Sequence, residues 1–336
     1  MEVIVANHPS SLLHDTGARH PERPDRVGAV IRGIESSGLD IAEIEAPAIE
    51  RSELALVHDP WYIEMIERFC AQGGGALDMD TFVSEESWQA ALTAAGGVRA
   101  LAEELAGGRD ATGFAVARPP GHHATPHRAM GFCLFNNVAV TAAYLRARGE
   151  RVAIIDWDVH HGNGTQEMMA DDSGSLYVSI HQDRFYPFQG HVDDIEEGAA
   201  KGTTINIPFP AGTAGDVYRR AWAELVLPVV TQFEPQWVLL SAGFDAHTDD
   251  FLAGLDLVAS DYGWMAARLT EVHPPNRTIL ALEGGYDLTA LTESARATCL
   301  GLNGTPPDVT SELSSTESAS AALTEAAVAI ARHWAI

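Results

Sequence analysis

The sequence predicts an α/β protein, a three-layer α/β/α sandwich with a mostly parallel central sheet. Three observations carry this. Short apolar runs alternate with longer segments of helical periodicity, the pattern of parallel strands joined by crossover helices. Each of the four clearest runs ends in a loop of Gly and titratable residues, where open α/β sheets place their ligands. Candidate site residues lie between His122 and Tyr286, so one site draws on most of the 336-residue chain. Single α/β domains routinely pass about 250 residues, and no internal repeat divides this one.

Each element has its own signal. A helix is expected over Trp88 to Leu105, then a strand over Thr112 to Ala117 leading into Arg118-Pro-Pro-Gly-His-His-Ala124. A helix over Asn137 to Arg148 precedes the strand Arg151 to Ile155. The helix Val217 to Gln232 precedes the strand Trp237 to Ser241, which runs into Ala-Gly-Phe-Asp245-Ala-His247. The helix Tyr262 to Val272 precedes the strand Thr278 to Leu282, followed by Glu283-Gly-Gly-Tyr286-Asp287 and a helix over Leu288 to Leu300. Residues 1–302 are therefore expected to form the catalytic domain. Residues 303–336 read as a polar Ser/Thr/Pro linker followed by a short Ala-rich helix, Ala319 to Trp334. Leu323, Ala327, Ile330 and Trp334 of that helix share one face.

The chemistry concentrates at Asp156-Trp-Asp158-Val-His160-His161-Gly-Asn163-Gly164, with four titratable groups in six residues behind an apolar strand. Alternate residues of an extended run share a face, so Asp156, Asp158 and His160 are expected to converge. Asp and His without a thiolate suit a borderline divalent ion: zinc, though the donor set also admits iron, cobalt or manganese. A catalytic metal site needs a third ligand and an open position. Asp245, past the strand Trp237 to Ser241, supplies a carboxylate at another strand end. A strand end with solvated charges is the bland alternative, and so many titratable groups closing on a Gly-Asn-Gly turn disfavour it.

Five motifs in order resemble the zinc-dependent histone deacetylase and acetylpolyamine amidohydrolase family, class II branch. They are Arg118-Pro-Pro-Gly-His-His123, Gly131-Phe-Cys-Leu-Phe-Asn-Asn137, Asp156-Trp-Asp-Val-His-His-Gly-Asn-Gly-Thr165, Ser241-Ala-Gly-Phe-Asp245 and Leu282-Glu-Gly-Gly-Tyr286. The resemblance starts at His20-Pro-Glu-Arg-Pro-Asp-Arg26 and runs to about residue 302. It implies the arginase/deacetylase-like fold, hydrolytic removal of an acyl group, with acetyl expected, from lysine side chains or related amines, and one zinc per chain on Asp158, His160 and Asp245. It further implies His123 as general base and later general acid, and His122 as its electrostatic partner. Tyr286 would hydrogen-bond the scissile carbonyl, while Asp156 and Asn163 orient His122 and His123. A structural potassium would sit on Asp156, the Ser179 hydroxyl and backbone oxygens of Asp158, His160 and Ile180. A substrate tunnel would be walled by Gly131, Phe132, Tyr186 and Leu252. Leu252 stands where polyamine-selective members carry a Glu, which favours lysine over acetylpolyamines.

Two rivals remain. Asp245-Ala-His-Thr-Asp249 also spells the metal motif of two-manganese, arginase-like ureohydrolases, although those need neither tandem histidines nor Gly-Gly-Tyr. A silent acyl-lysine binder would have lost a ligand or the tyrosine, and none is missing.

Charge narrows the partners. Lys plus Arg number 21 against 47 Asp plus Glu, a net charge of −26, and Lys201 is the only lysine. Such a surface disfavours nucleic acid and anionic membranes and suits concentrated salt, where repulsion is screened. A salt-adapted cytoplasm is expected, consistent with three scattered cysteines and no signal-like or membrane-spanning apolar run. An acylated-amine substrate is the expected partner, and a homo-oligomer stays open.

Overall fold

The structure is a computed structural model, and it describes residues 1–194 and 200–336. Its strands are β1 (Glu2–Asn7), β2 (Ile41–Glu45), β3 (Gly75–Ala76), β4 (Phe82–Val83), β5 (Ala111–Ala115), β6 (Val152–Asp156), β7 (Ser175–Gln182), β8 (Thr204–Phe209), β9 (Trp237–Ala242) and β10 (Thr278–Leu282). Eight of them form one sheet in the order β2-β1-β5-β10-β9-β6-β7-β8, and β3 and β4 form a small antiparallel hairpin. Every pairing in the large sheet is parallel. The four strands singled out from the sequence, β5, β10, β9 and β6, are adjacent at its centre. β10 is the last strand of the chain, and it joins β5 on one side to β9 on the other.

Alternation of apolar residues along these strands builds two cores. Val3, Val5, Ile155, Val238, Leu240 and Leu280 face the helices Asp25–Ser36, Ala259–Thr270 and Leu288–Leu302. Ile4, Ile154, Leu239, Ile279 and Ala281 face the helices Ser87–Ala106 and Asn137–Ala147. Parallel strands covered on both faces need no polar alternation, and β6, β9 and β10 are buried along their whole length. Truncating Leu239 to Ala would cost about 2–5 kcal/mol at such a site.

Helix ends fix the site loops. The Asn136 side chain accepts the Ala139 N–H at 3.0 Å and starts the helix Asn137–Ala147. Asp287, directly after Tyr286, accepts from Thr289 and Ala290 at 2.9 and 2.8 Å and starts Leu288–Leu302. Such caps contribute about 0.5–2 kcal/mol each. The helix expected over Val217 to Gln232 runs from Gly215 to Phe233 and contains a π-helical turn at Trp222–Val226. The terminal helix is Glu317–Ile330, two residues earlier at its start than its periodicity suggested. It buries Ala319, Leu323, Ala326 and Ile330 in the main core, with Ala327 and Trp334 packed beside them. No helix among the described residues is long and apolar enough to cross a membrane.

Candidate active site

Asp158, His160 and Asp245 meet at the carboxyl edge of the central strands. One ligand atom from each lies within 4.8 Å of the others. His160 Nδ1 stands 3.0 Å from Asp158 Oδ1 and 3.1 Å from Asp245 Oδ2. The convergence is not the extended alternation expected from the sequence. β6 ends at Asp156, and residues 158–160 bend, so Asp156 stays outside the cluster and turns to His122 instead.

Backbone donors hold the carboxylates. Asp158 Oδ1 accepts the His160 N–H at 2.8 Å and its Oδ2 the Gly284 N–H at 2.7 Å, while Asp245 Oδ1 accepts the Val159 N–H at 2.9 Å. Gly284 has to be glycine, because a Cβ there would lie 2.0 Å from Asp245 Oδ2. That oxygen is buried and accepts no hydrogen bond. Two buried carboxylates with one imidazole leave negative charge uncompensated, and burying unpaired charge is costly. Burial alone would lower the His160 pKa, but Asp158 and Asp245 outweigh it and lift it to about 10. Even a proton on His160 leaves the cluster one charge short. An orphaned oxygen and a donor set of two carboxylates and an imidazole fit a divalent cation.

Beside the cluster lie the two histidines, ring centroids 4.0 Å apart. His122 Nδ1 is 3.0 Å from Asp156 Oδ2, and His123 Nδ1 is 2.9 Å from Asn163 Oδ1. Their environments push them apart. Burial disfavours charge on His122, yet Asp156 and Asp158 overcome it and raise the pKa to about 10. Burial, with the neighbouring His122 and His160, drives His123 well below the usual imidazole range. An amide oxygen only accepts, so His123 carries its hydrogen on Nδ1 and keeps the lone pair on Nε2.

A cavity of ≈ 220 Å³ opens onto these groups and is lined by Gly131, Phe132, Tyr186, Leu252 and Tyr286 as well as His122, His123 and His160. All four expected tunnel residues are thus gathered at one site. Phe132 packs edge-on to Tyr286 at 5.9 Å, and Phe185, which the sequence reading passed over, stacks on His160 at 5.2 Å. Ser179 and Ile180 lie on β7 next to β6, and Asp156 is paired with Ser179. The Ser179 hydroxyl contacts His181 Nδ1 at 2.8 Å, and the Ile180 carbonyl accepts from Tyr218.

Two buried carboxylates were also missed. Glu283 accepts the N–H groups of Gly121 and His122 at 2.6 and 3.1 Å, and burial raises its pKa to about 7. Asp250 accepts the Tyr286 N–H at 2.5 Å and so anchors the tyrosine loop. Glu283 stood in a quoted motif, but nothing local pointed to partners 162 and 161 residues away. The ureohydrolase spelling does not assemble, because His247 Nδ1 takes the Asp249 N–H and the Asp249 side chain is 72% exposed. Cys133 is a buried filler whose thiol reaches the Gly131 carbonyl.

A candidate metal triad beside two histidines of opposite protonation preference is the equipment of a metal-dependent hydrolase. Known proteins make that class specific. Residues 20–302 match the family model described as Histone deacetylase domain. Histone deacetylase 15 of Arabidopsis thaliana is 38% identical over 297 residues, 86% of this chain and 54% of its own length. A probable deacetylase of Archaeoglobus fulgidus is 36% identical over 292 residues, 84% of this chain and 81% of its own. The crystal structure of the HDA15 HD domain superposes with a TM-score of 0.91 at 33% identity, covering 98% of this chain and 96% of that one. The chain belongs to the histone deacetylase family. It spans about half the length of the plant relative.

Proposed function

We propose that the protein is a zinc-dependent amidohydrolase that removes an acyl group, acetyl above all, from lysine side chains or related amines. The observation that carries this is the Asp158–His160–Asp245 triad with its unsatisfied Asp245 Oδ2, whose His160 lines the same cavity as the two histidines. An ion held there supplies Lewis acidity, polarising an amide carbonyl and making water acidic enough to attack near neutral pH. His123, neutral with its lone pair on Nε2, takes the proton of the attacking water and returns it to the departing amine. His122 stays protonated against Asp156 and keeps positive charge beside the developing oxyanion. The Tyr286 hydroxyl donates to that oxygen. Phe132, Tyr186 and Leu252 sheath an extended acyl-amine and exclude water.

One ion per chain is supported by the single Asp/His group of metal-binding spacing among the described residues. Potassium is proposed as a structural ion at Asp156, Ser179, Ile180 and the backbone of Asp158 and His160. The carbonyls of Asp158 and His160 accept no hydrogen bond among the described residues, which leaves them free for a cation. Lysine is preferred to polyamine because Leu252, half-buried in the cavity wall, offers nothing to a second ammonium. The charge of −26 and the lone lysine support a salt-adapted cytoplasm.

The test is turnover of an acetyl-lysine peptide by the zinc-loaded protein in potassium chloride, with metal content measured alongside. Hydrolysis with one zinc per chain is expected, and acetylspermidine should be the poorer substrate. Absence of turnover in zinc-loaded, folded protein would overturn the reading.

A further inference from the structure

The phenol of Tyr177 is fully buried behind the tandem histidines and belongs to neither the triad nor the tunnel. It stands on β7, where Tyr177 pairs with Ile154 of β6, two residues before Asp156. Paired and alternate residues share a face, so the ring lies under Asp156 on the same side of the sheet. Its hydroxyl is 3.3 Å from Asp156 Oδ2 and 3.1 Å from the Gly162 carbonyl oxygen. Asp156 Oδ2 is the atom that meets His122, and Gly162 is the residue before Asn163, which meets His123. A Cβ on Gly162 would lie 2.3 Å from Asp156 Oδ2, 2.6 Å from the Tyr177 hydroxyl and 3.2 Å from His122 Nδ1. All three groups therefore press on one glycine.

We infer that Tyr177 is a positioning residue that braces both histidine supports at once: the Asp156 carboxylate under His122 and the Gly162–Asn163 turn under His123. A phenol has one hydrogen to give, and here two acceptors share it. The shared bond ties the two ends of the segment 156–163, the carboxylate at the end of β6 and the turn that opens the next helix, to one point on β7. Loss of the hydroxyl leaves the carboxylate held only by the Asp158 N–H and His122 and removes a brace from the turn, and displacement of about 1 Å in such groups costs on the order of 100-fold in rate.

The inference rests on the proposed hydrolase reading, so its test has an arm that needs no turnover. In the zinc-loaded holoenzyme the imidazole N–H protons of His122 and His123 are followed by NMR, in wild type and in Tyr177→Phe, which keeps the ring and its packing. Both resonances should move or broaden together in the variant. With an acetyl-lysine peptide, kcat should fall about tenfold or more, at unchanged KM and unchanged zinc content. Unmoved N–H resonances with kcat within twofold of wild type would make Tyr177 mere packing. A fall in kcat that tracks lost zinc would likewise overturn the positioning role. If wild type turns over no acyl-amine, the hydrolase reading fails while the NMR arm still decides Tyr177.

Discussion

Two clusters of buried charge lie within this fold, and they are solved in opposite ways. Around Glu22 the protein supplies its own counter-ions. The carboxylate meets Arg118, with one contact at 2.7 Å, and Arg26 at 3.1 Å, while Arg26 also donates to the Gly285 and Glu283 carbonyls. Around Asp245 it does not: two buried carboxylates share one imidazole, and Asp245 Oδ2, 3.1 Å from His160 Nδ1, accepts no hydrogen bond. The first cluster is complete and can only hold things in place. The second is incomplete, the arrangement that a divalent cation would complete.

The sharpest way to break this comparison is at the incomplete cluster. His160→Ala removes one of three ligands, so zinc binding should be lost and hydrolysis should drop to background. A variant retaining full zinc and full activity sinks the assignment.

At the complete cluster the loss should be in stability. Glu22→Gln strands two buried guanidinium groups, which costs on the order of 3–5 kcal/mol, and denaturant midpoints report it. Burial alone would raise the Glu22 pKa, but Arg118 and Arg26 outweigh it and bring it to about 2. A depressed carboxylate stabilises the fold fully above its unfolded value near 4.5, and that contribution, roughly 3 kcal/mol, is lost as pH falls towards 2. His14 beside it, held neutral by burial with a pKa of about 4, begins the loss earlier, as pH falls below 6.5. Glu22→Gln should flatten the part of the pH profile below 4.5, and an unchanged profile there would remove Glu22 from the account.

A smaller loss is expected where the two clusters touch the same loop. Tyr286 lies under Arg26, 5.0 Å from ring to guanidinium, and faces the cavity. Tyr286→Phe should lower kcat by about 10²-fold to 10³-fold, as loss of one oxyanion donor does, with zinc content near one per chain. Unchanged kcat would leave the hydroxyl without a catalytic role.

Salt separates buried from surface charge. Repulsion among the 26 excess negative charges is screened as potassium chloride rises, so Tm should climb. The Glu22→Gln deficit should stay constant across that range, because its partners are buried. A flat Tm would point to an ordinary acidic enzyme. The smallest effect belongs to Leu252→Glu. A carboxylate at the rim should shift kcat/KM towards acetylspermidine by about fivefold, the roughly 1 kcal/mol of a half-exposed ion pair, and an unmoved ratio would make Leu252 packing only.

Legibility followed the range of the interaction. The four central strands were legible because each is a short apolar run ending in a polar loop, and Asp158, His160 and Asp245 because ligand types cluster at such ends. β1, β2, β7 and β8 were not singled out. β2 lies at the sheet edge and is half-exposed, so its Ile-Ala-Glu-Ile-Glu run carries no continuous apolar signal. The bend that carries Asp158 and His160 past Asp156 breaks the period-two rule at the point where that rule was applied. Glu22, Arg26 and Arg118 were visible inside motifs, yet the pairing of Glu22 with Arg118, 96 residues apart, leaves no periodic trace. Glu283, Asp250 and Tyr177 act through backbone amides or a shared proton, which sequence spacing does not encode.

The position of β10 bears on how the protein is made. Without residues 278–282, β2-β1-β5 and β9-β6-β7-β8 are two sheet fragments with no hydrogen-bonded strand between them. A nascent chain on the ribosome therefore carries the triad residues well before it carries the strand that closes the sheet around them. The last strand synthesised acts as a keystone. A chain lacking it would leave β5 and β9 with unpaired inner edges, and unpaired strand edges are what chaperones and aggregation recognise.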